Sequence, residues 1–180
     1  MNSNSEVTYR PYVTVVGKGG TDVPPDTLEV AEAVGRGVAE AGAVLVCGGR
    51  DGVMEAACRG AKARGGLTVG ILPGLDRSEA NAFVDVAVPT GMGETRNALV
   101  VRAADVVIAV DGGYGTLSEI ALALVAGTPV VGIGTWELRR GEATGAEPVA
   151  DTGIVPAANA ADAVALALAL ALASAGGRPR

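Results

Sequence analysis

Histidine is absent from the 180 residues. That excludes a histidine-ligated metal, a Ser-His-Asp triad and a Cys-His nucleophile pair, and no metal site is expected; acid–base work falls to carboxylates, lysine, tyrosine, cysteine or water. Lysine occurs only as Lys18 and Lys62. Neither stands in the G-x-x-x-x-G-K-[ST] frame, so P-loop chemistry on a magnesium nucleotide is not expected. Cysteine is scarce as well. Cys47 and Cys58 have the spacing of neither a redox pair nor a zinc knuckle, and both read as buried free thiols of a reducing cytosol. Long apolar runs are missing: the best candidate, Ala163–Ala173, is alanine-rich and too short to span a bilayer. The first ten residues are polar and show no signal core. A cytoplasmic protein without a membrane partner is expected. Aromatic residues make up only 3% of the chain, so a core must come from Val, Ile, Leu and Ala.

Small residues take the vacated share: 27 Gly and 33 Ala make one third of the chain. The apolar residues cluster, which argues against disorder. The formal net charge of −6 speaks against nucleic acid as a partner but is compatible with a small anionic ligand held by a local site.

Short β-branched runs alternate with longer alanine-rich stretches. Strands are expected at Tyr12–Val16, Ala43–Cys47, Leu67–Leu72, Phe83–Val88, Asp105–Val110 and Pro129–Ile133. Helices are expected at Asp26–Ala41, Asp51–Arg64, Glu94–Ala103, Gly115–Ala126 and Asn159–Ser174, the last with Asn159 as N-cap. Strands apolar on both faces and separated by helices predict a doubly wound, mostly parallel α/β sheet, a Rossmann-like three-layer sandwich. Residues 1–180 read as one nucleotide-binding domain, with flexible ends at 1–10 and 174–180, a surface loop at Gly74–Asn81 and another at 136–153. Leucines surround the final helix, which suggests cover on two sides, and a homodimer or tetramer is expected.

Three glycine clusters follow strands: Gly17-Lys18-Gly19-Gly20, Gly48-Gly49-Arg50-Asp51-Gly52 and Gly112-Gly113-Tyr114-Gly115-Thr116. In a parallel sheet they share the carboxyl-end rim, where open α/β sheets bind ligands. Glycine lets backbone N–H groups approach an anion, and helix N-termini favour negative charge. A small phosphorylated ligand is therefore expected, with Gly17, Lys18, Gly19, Gly48, Gly49, Gly112, Gly113, Tyr114, Gly115 and Thr116 as candidate contacts, joined by Met92 from the turn Gly91-Met92-Gly93. The dinucleotide fingerprint is not met after the first strand, and the second strand ends in Val46-Cys47-Gly48 where an acidic ribose ligand would stand. NAD is not expected.

Arg96 and Glu119 are expected in the first turns of successive helices, overhanging the same crevice. An arginine there holds phosphate or orients a carboxylate, and a carboxylate there activates water or stabilises an oxocarbenium-like centre. Thr116-Leu117-Ser118-Glu119 also fits a capping box, which would give Glu119 a purely structural duty.

Gly112-Gly113-Tyr114-Gly115-Thr116-Leu117-Ser118-Glu119 resembles the G-G-x-G-T-x-x-E core of the Lonely Guy family, often mislabelled lysine decarboxylases. The likeness extends through Val46-Cys47-Gly48-Gly49 with Gly52 and Met54, and through Gly70-Ile71-Leu72-Pro73, covering most of Tyr12–Ile133. The resemblance implies a Rossmann-like phosphoribohydrolase that cleaves the N-glycosidic bond of a purine, cytokinin-type nucleoside 5′-monophosphate. It requires no cofactor and uses a catalytic Arg and Glu that map onto Arg96 and Glu119; lysine decarboxylation is not implied. Two departures lie in the motifs: Asp111 replaces a proline before the first glycine, and Thr95-Arg96-Asn97 replaces Glu-Arg-Lys. The run Gly91–Asn97 is closer to a sister branch that includes the molybdenum cofactor carrier proteins, which implies the alternative of a non-catalytic carrier. The bound ligand is then an AMP-like nucleotide under the first reading and molybdopterin under the second.

Overall fold

The computed structural model describes residues 9–140, 149–150 and 153–175. Among the described residues, nine strands and five α-helices run in the order β1 (Tyr12–Gly17), α1 (Pro25–Glu40), β2 (Val44–Cys47), α2 (Val53–Lys62), β3 (Leu67–Leu72), β4 (Val86–Pro89), α3 (Asn97–Arg102), β5 (Val106–Val110), α4 (Tyr114–Ala126), β6 (Val130–Ile133), β7 (Arg139–Arg140), β8 (Val149–Ala150), β9 (Ile154–Pro156) and α5 (Ala160–Ala175). Seven strands form one all-parallel sheet in the order β4-β3-β2-β1-β5-β6-β9. This is the Rossmann-like α/β architecture that the alternating pattern predicts.

The strand sequences explain the burial. In β5, Val106, Ile108 and Val110 enter one core, and Val107 and Ala109 enter the other. A period of two places successive side chains on opposite faces, and here both faces are covered. From β1 the chain steps outward through β2, β3 and β4, then returns to place β5 on the other side of β1. Right-handed crossovers in opposite directions set helices on opposite faces. Accordingly α1 and α2 pack with α5 over one face, and α3 packs with α4 over the other. The reversal makes the carboxyl ends of β1 and β5 the topological switch point, where an open sheet leaves a crevice.

Small residues allow close helix contact. A Cβ on Gly35 or Gly60 would strike the backbone of the facing helix, at Ala57 and Glu32 respectively. The two cysteines lie in the core under α2 with sulfurs 3.5 Å apart, unbridged. The neighbouring Cys47 sulfur, and then burial, hold the Cys58 thiol well above the usual thiol range.

Several elements differ from the sequence expectation. The helix foreseen over Glu94–Ala103 begins as a 3-10 turn, Gly93–Arg96, and becomes α-helical only at Asn97, because Gly93 enters with φ +56°. The loop at Gly74–Asn81 contains a 3-10 turn, Arg77–Glu79, capped by the Asp76 side chain. The loop expected over 136–153 holds an antiparallel pair, β7 with β8, and β9 follows it as a seventh sheet strand that the sequence reading lacked. Three residues ending in proline carry too little pattern to be read as a strand; β9 forms because β6 offers an edge. Helix α5 starts as expected: Asp162 N–H donates to Asn159 Oδ1, and Ala158 N–H donates to the Asp162 carboxylate. It continues to Ala175, past the expected start of a flexible end at 174, while residues 1–8 and 176–180 lie outside the described residues. Its fully buried stripe is Ala163, Ala167 and Ala171, and Leu172 is exposed. Among the described residues, no helix is long and apolar enough to cross a membrane.

Candidate functional site

All three glycine corners contribute to one cavity of about 240 Å³ at the switch point. The corner after β1 supplies Gly17, Gly19 and Gly20; the corner after β2 supplies Arg50 and Asp51, with Met54 from α2; the start of α4 supplies Gly115 and Thr116. Arg96, Asn97, Glu119 and Glu94 complete the lining.

The corners are built differently. Gly52, the residue before α2, has φ +69°, and a Cβ on it would lie 2.5 Å from the Lys18 carbonyl oxygen. Only glycine lets the first two corners meet this closely. They are tied by Val53 N–H donating to Lys18 O at 3.0 Å and Gly20 N–H donating to Asp51 Oδ1 at 2.9 Å. The corner after β5 turns through Asp111, whose φ of +53° is the one positive value at a non-glycine among the described residues. Asp tolerates that region better than most residues. Thr135 Oγ1 donates to Asp111 O at 2.6 Å and Trp136 Nε1 to Gly113 O at 3.2 Å. In α4 the first amide with an acceptor inside the helix is that of Leu117, bonded to Gly113 O. The N–H groups before it face the helix N-terminus, where the backbone dipoles favour an anion.

The cavity floor is an ion pair. Arg96 and Glu119 expose 5% and 9% of their side chains, and Arg96 Nη1 lies 3.4 Å from Glu119 Oε1. The same Nη1 donates to Asn97 Oδ1 at 2.7 Å, Asn97 Nδ2 to Ser118 Oγ at 2.9 Å, and Ser118 Oγ to Gly115 O at 2.7 Å. This chain of bonds joins α3 to the mouth of α4. Arg96 Nε is buried without an acceptor. Burial pushes the Glu119 carboxyl up to about 7, the Glu94 charge pushes the same way, and Arg96 pulls against both. Gly48 makes the pair possible, since a Cβ there would stand 2.8 Å from Arg96 Nη2.

Two expectations at this pair are corrected. Arg96 ends a 3-10 turn and Glu119 is the sixth residue of α4, so neither sits in the first turn of an α-helix. The capping box does not form: the helix starts at Tyr114, which leaves Thr116 inside it, and Glu119 turns to Arg96.

Of the candidate contacts, Gly17, Gly19, Gly115, Thr116, Arg96 and Glu119 line the cavity. Lys18 does not; its ammonium pairs with Asp22 in solvent. Met92 is 44% exposed and outside the lining. Tyr114 points outward and lies against Trp136, ring centroids 5.8 Å apart. Gly48, Gly49 and Gly112 stand behind the lining and shape it, since a Cβ on Gly112 would press on Thr116 and one on Gly49 on Leu72, while Gly113 is outside the lining and in open space. Sequence reasoning missed Gly20, Arg50, Asp51, Met54, Glu94 and Asn97 as lining residues. Arg50 and Asp51 sit inside a quoted glycine cluster, and that position was their signal. Among the described residues, no group of three or more Cys, Asp or Glu side chains is placed to hold a metal ion.

Comparison with known proteins agrees with this architecture. A molybdenum cofactor binding protein from Rippkaea orientalis superposes with a TM-score of 0.78 at 34% identity, over 91% of this chain and 98% of that one. The molybdenum cofactor carrier protein of Chlamydomonas reinhardtii superposes with a TM-score of 0.75 at 33% identity, over 92% and 99%. An uncharacterized protein of Archaeoglobus fulgidus is 46% identical over 121 residues, 67% of this chain and 78% of that protein. A cytokinin riboside 5′-monophosphate phosphoribohydrolase of Mycobacterium marinum is 37% identical over 99 residues, 53% of each chain. The SLOG cluster4 family profile matches residues 10–165, and the chain belongs to this Lonely Guy-like family.

Proposed function

We propose that this chain binds a phosphorylated pterin-like or nucleotide-like small molecule in the switch-point cavity and holds it without turning it over. The observation that carries this reading is the convergence of three backbone corners on one cavity whose floor is an internally paired Arg96–Glu119. The α4 amides at Gly115 and Thr116 take the phosphate; Arg96, committed to Glu119 and Asn97, supports the floor and the helix mouth. Likeness to molybdenum cofactor binding and carrier proteins over more than nine tenths of the chain supports a molybdopterin-type cargo.

One observation favours the alternative, hydrolysis of a nucleoside 5′-monophosphate at its N-glycosidic bond. A carboxyl shifted to about 7 in the lining of a cavity of about 240 Å³ is suited to stabilising a developing sugar cation and positioning water. Glu119 would do that work, and Arg96 would orient it. Equilibrium binding of molybdopterin, run beside incubation with AMP and prenylated AMP while following free base and ribose 5-phosphate, separates the two. Saturable molybdopterin binding with no release of base supports the carrier. Release of base that rises with pH through about 7 and vanishes in Glu119→Gln, with nucleotide binding kept, replaces it with the hydrolase.

A further inference from the structure

A second cavity of about 230 Å³ adjoins the first, with Arg50 and Asp51 in the lining of both. Glu55, Glu79 and Asn81 supply its other polar walls. The dividing wall is fixed from behind. Asn81 Nδ2 donates to the carbonyls of Gly49 and Arg50 at 3.2 and 2.8 Å, and the Asn81 N–H donates to Gly49 O at 2.9 Å. Asp51 spends one oxygen on Gly20 N–H. The Arg50 guanidinium, by contrast, is exposed and makes no hydrogen bond or ion pair among the described residues. Of the basic groups on the first glycine corner and the cavity floor, Lys18 is committed to Asp22 and Arg96 to Glu119 and Asn97. A planar cation on a fixed base, between two empty volumes, is built to meet an anion.

The two compartments differ in polarity. Both share Arg50 and Asp51; the larger adds Glu94, the Arg96–Glu119 pair and the amino end of α4, whereas the smaller adds only carboxylates, Glu55 and Glu79, neither in an ion pair among the described residues. Carboxylates repel a phosphate and accept from N–H donors. We infer that the two cavities form one bipartite site. Arg50 joins the Gly115 and Thr116 amides on the ligand's phosphate on the larger side, and the Glu55 and Glu79 carboxylates receive the N–H donors of its heterocycle on the smaller side. The ligand class is a phosphomonoester of a 2-amino-4-oxo heterocycle, of guanine or pterin type. Such a ring presents an amino group beside a ring N–H, two parallel donors that one carboxylate accepts together, whereas adenine presents a donor beside an acceptor. This rests on the phosphorylated-ligand reading above and sharpens it.

Calorimetry on the full chain with GMP, AMP, guanosine and ribose 5-phosphate tests it. The wild type is expected to bind GMP at least about tenfold tighter than AMP, a difference of one paired set of charge-assisted bonds. Arg50→Ala is expected to weaken GMP and ribose 5-phosphate about ten- to a hundredfold and leave guanosine unchanged. The Glu55→Gln/Glu79→Gln double variant is expected to erase the preference for GMP and leave ribose 5-phosphate unchanged. Unaltered melting curves establish that each variant is folded. Equal affinity for AMP and GMP in the wild type, or GMP bound as tightly by Arg50→Ala, overturns the inference and leaves the functional reading standing. A wild type that binds neither ribose 5-phosphate nor molybdopterin takes both down.

Discussion

The corner after β1 and the corner after β5 use glycine for opposite ends. The first is secured through both kinds of backbone group, Gly20 N–H on Asp51 and Lys18 O on Val53 N–H, and through backbone contact so close that Gly52 admits no Cβ. The second is secured through its carbonyls, Asp111 O and Gly113 O, by Thr135 and Trp136. Past Asp111, whose own N–H goes to Ile133 O, the turn is held by acceptors, which leaves the amides at the mouth of α4 for something else. A Cβ on Gly113 or Gly115 would meet nothing within 4 Å. Two glycine-rich turns that look alike in sequence are thus, in space, a joint and an opening.

Substitutions at the joint should unfold the protein, and substitutions at the opening should spare the fold. The largest effect is expected for Gly52→Ala, which meets the Lys18 carbonyl and forces a side chain to φ +69°: a loss on the order of 3 kcal/mol in urea unfolding. Next is Glu119, beside the opening. Its carboxyl titrates near 7 in the fold against an ordinary value of 4.5, so the native state holds the proton more tightly than the unfolded chain. Stability should therefore fall as pH rises from about 4.5 to about 7, by up to a few kcal/mol, and stay low above that window. Glu119→Gln should flatten the profile; an unflattened one would move the titration elsewhere. Asp51→Ala removes the acceptor of Gly20 N–H and should cost about 1–2 kcal/mol. The smallest effect on folding is expected at Gly115→Ala. It lies in the first turn of α4 in open space, so stability should change by less than about 1 kcal/mol, toward a gain, while phosphate binding weakens. A Gly115→Ala variant that unfolds, or a Gly52→Ala variant that does not, would dissolve the distinction between the corners.

The sheet was legible because its central strands are saturated with apolar residues: Val44–Cys47 and Val106–Val110 leave little choice but burial on both faces. The rim was legible because glycine clusters recur at strand ends. What escaped depends on packing between segments distant in sequence. Asn97 gains a role only once its neighbours are fixed in space, between Arg96 and Ser118. Lys18 and Tyr114 fail as lining for the converse reason. Both sit in the right turn, yet one side chain finds Asp22 four residues on and the other leans on Trp136. Placement alone put Arg96 and Glu119 over one crevice but left the capping box open; their reading as a catalytic pair came through the family resemblance.

The outermost strands, β4 and β9, are four and three residues long, and each finishes in proline, at Pro89 and Pro156. Proline offers no N–H to an incoming strand, so both flanks of this hydrophobic sheet end where a foreign chain finds little to pair with. A protein so rich in valine and alanine risks growing into fibrils through its sheet margins; here the margins themselves stop that growth.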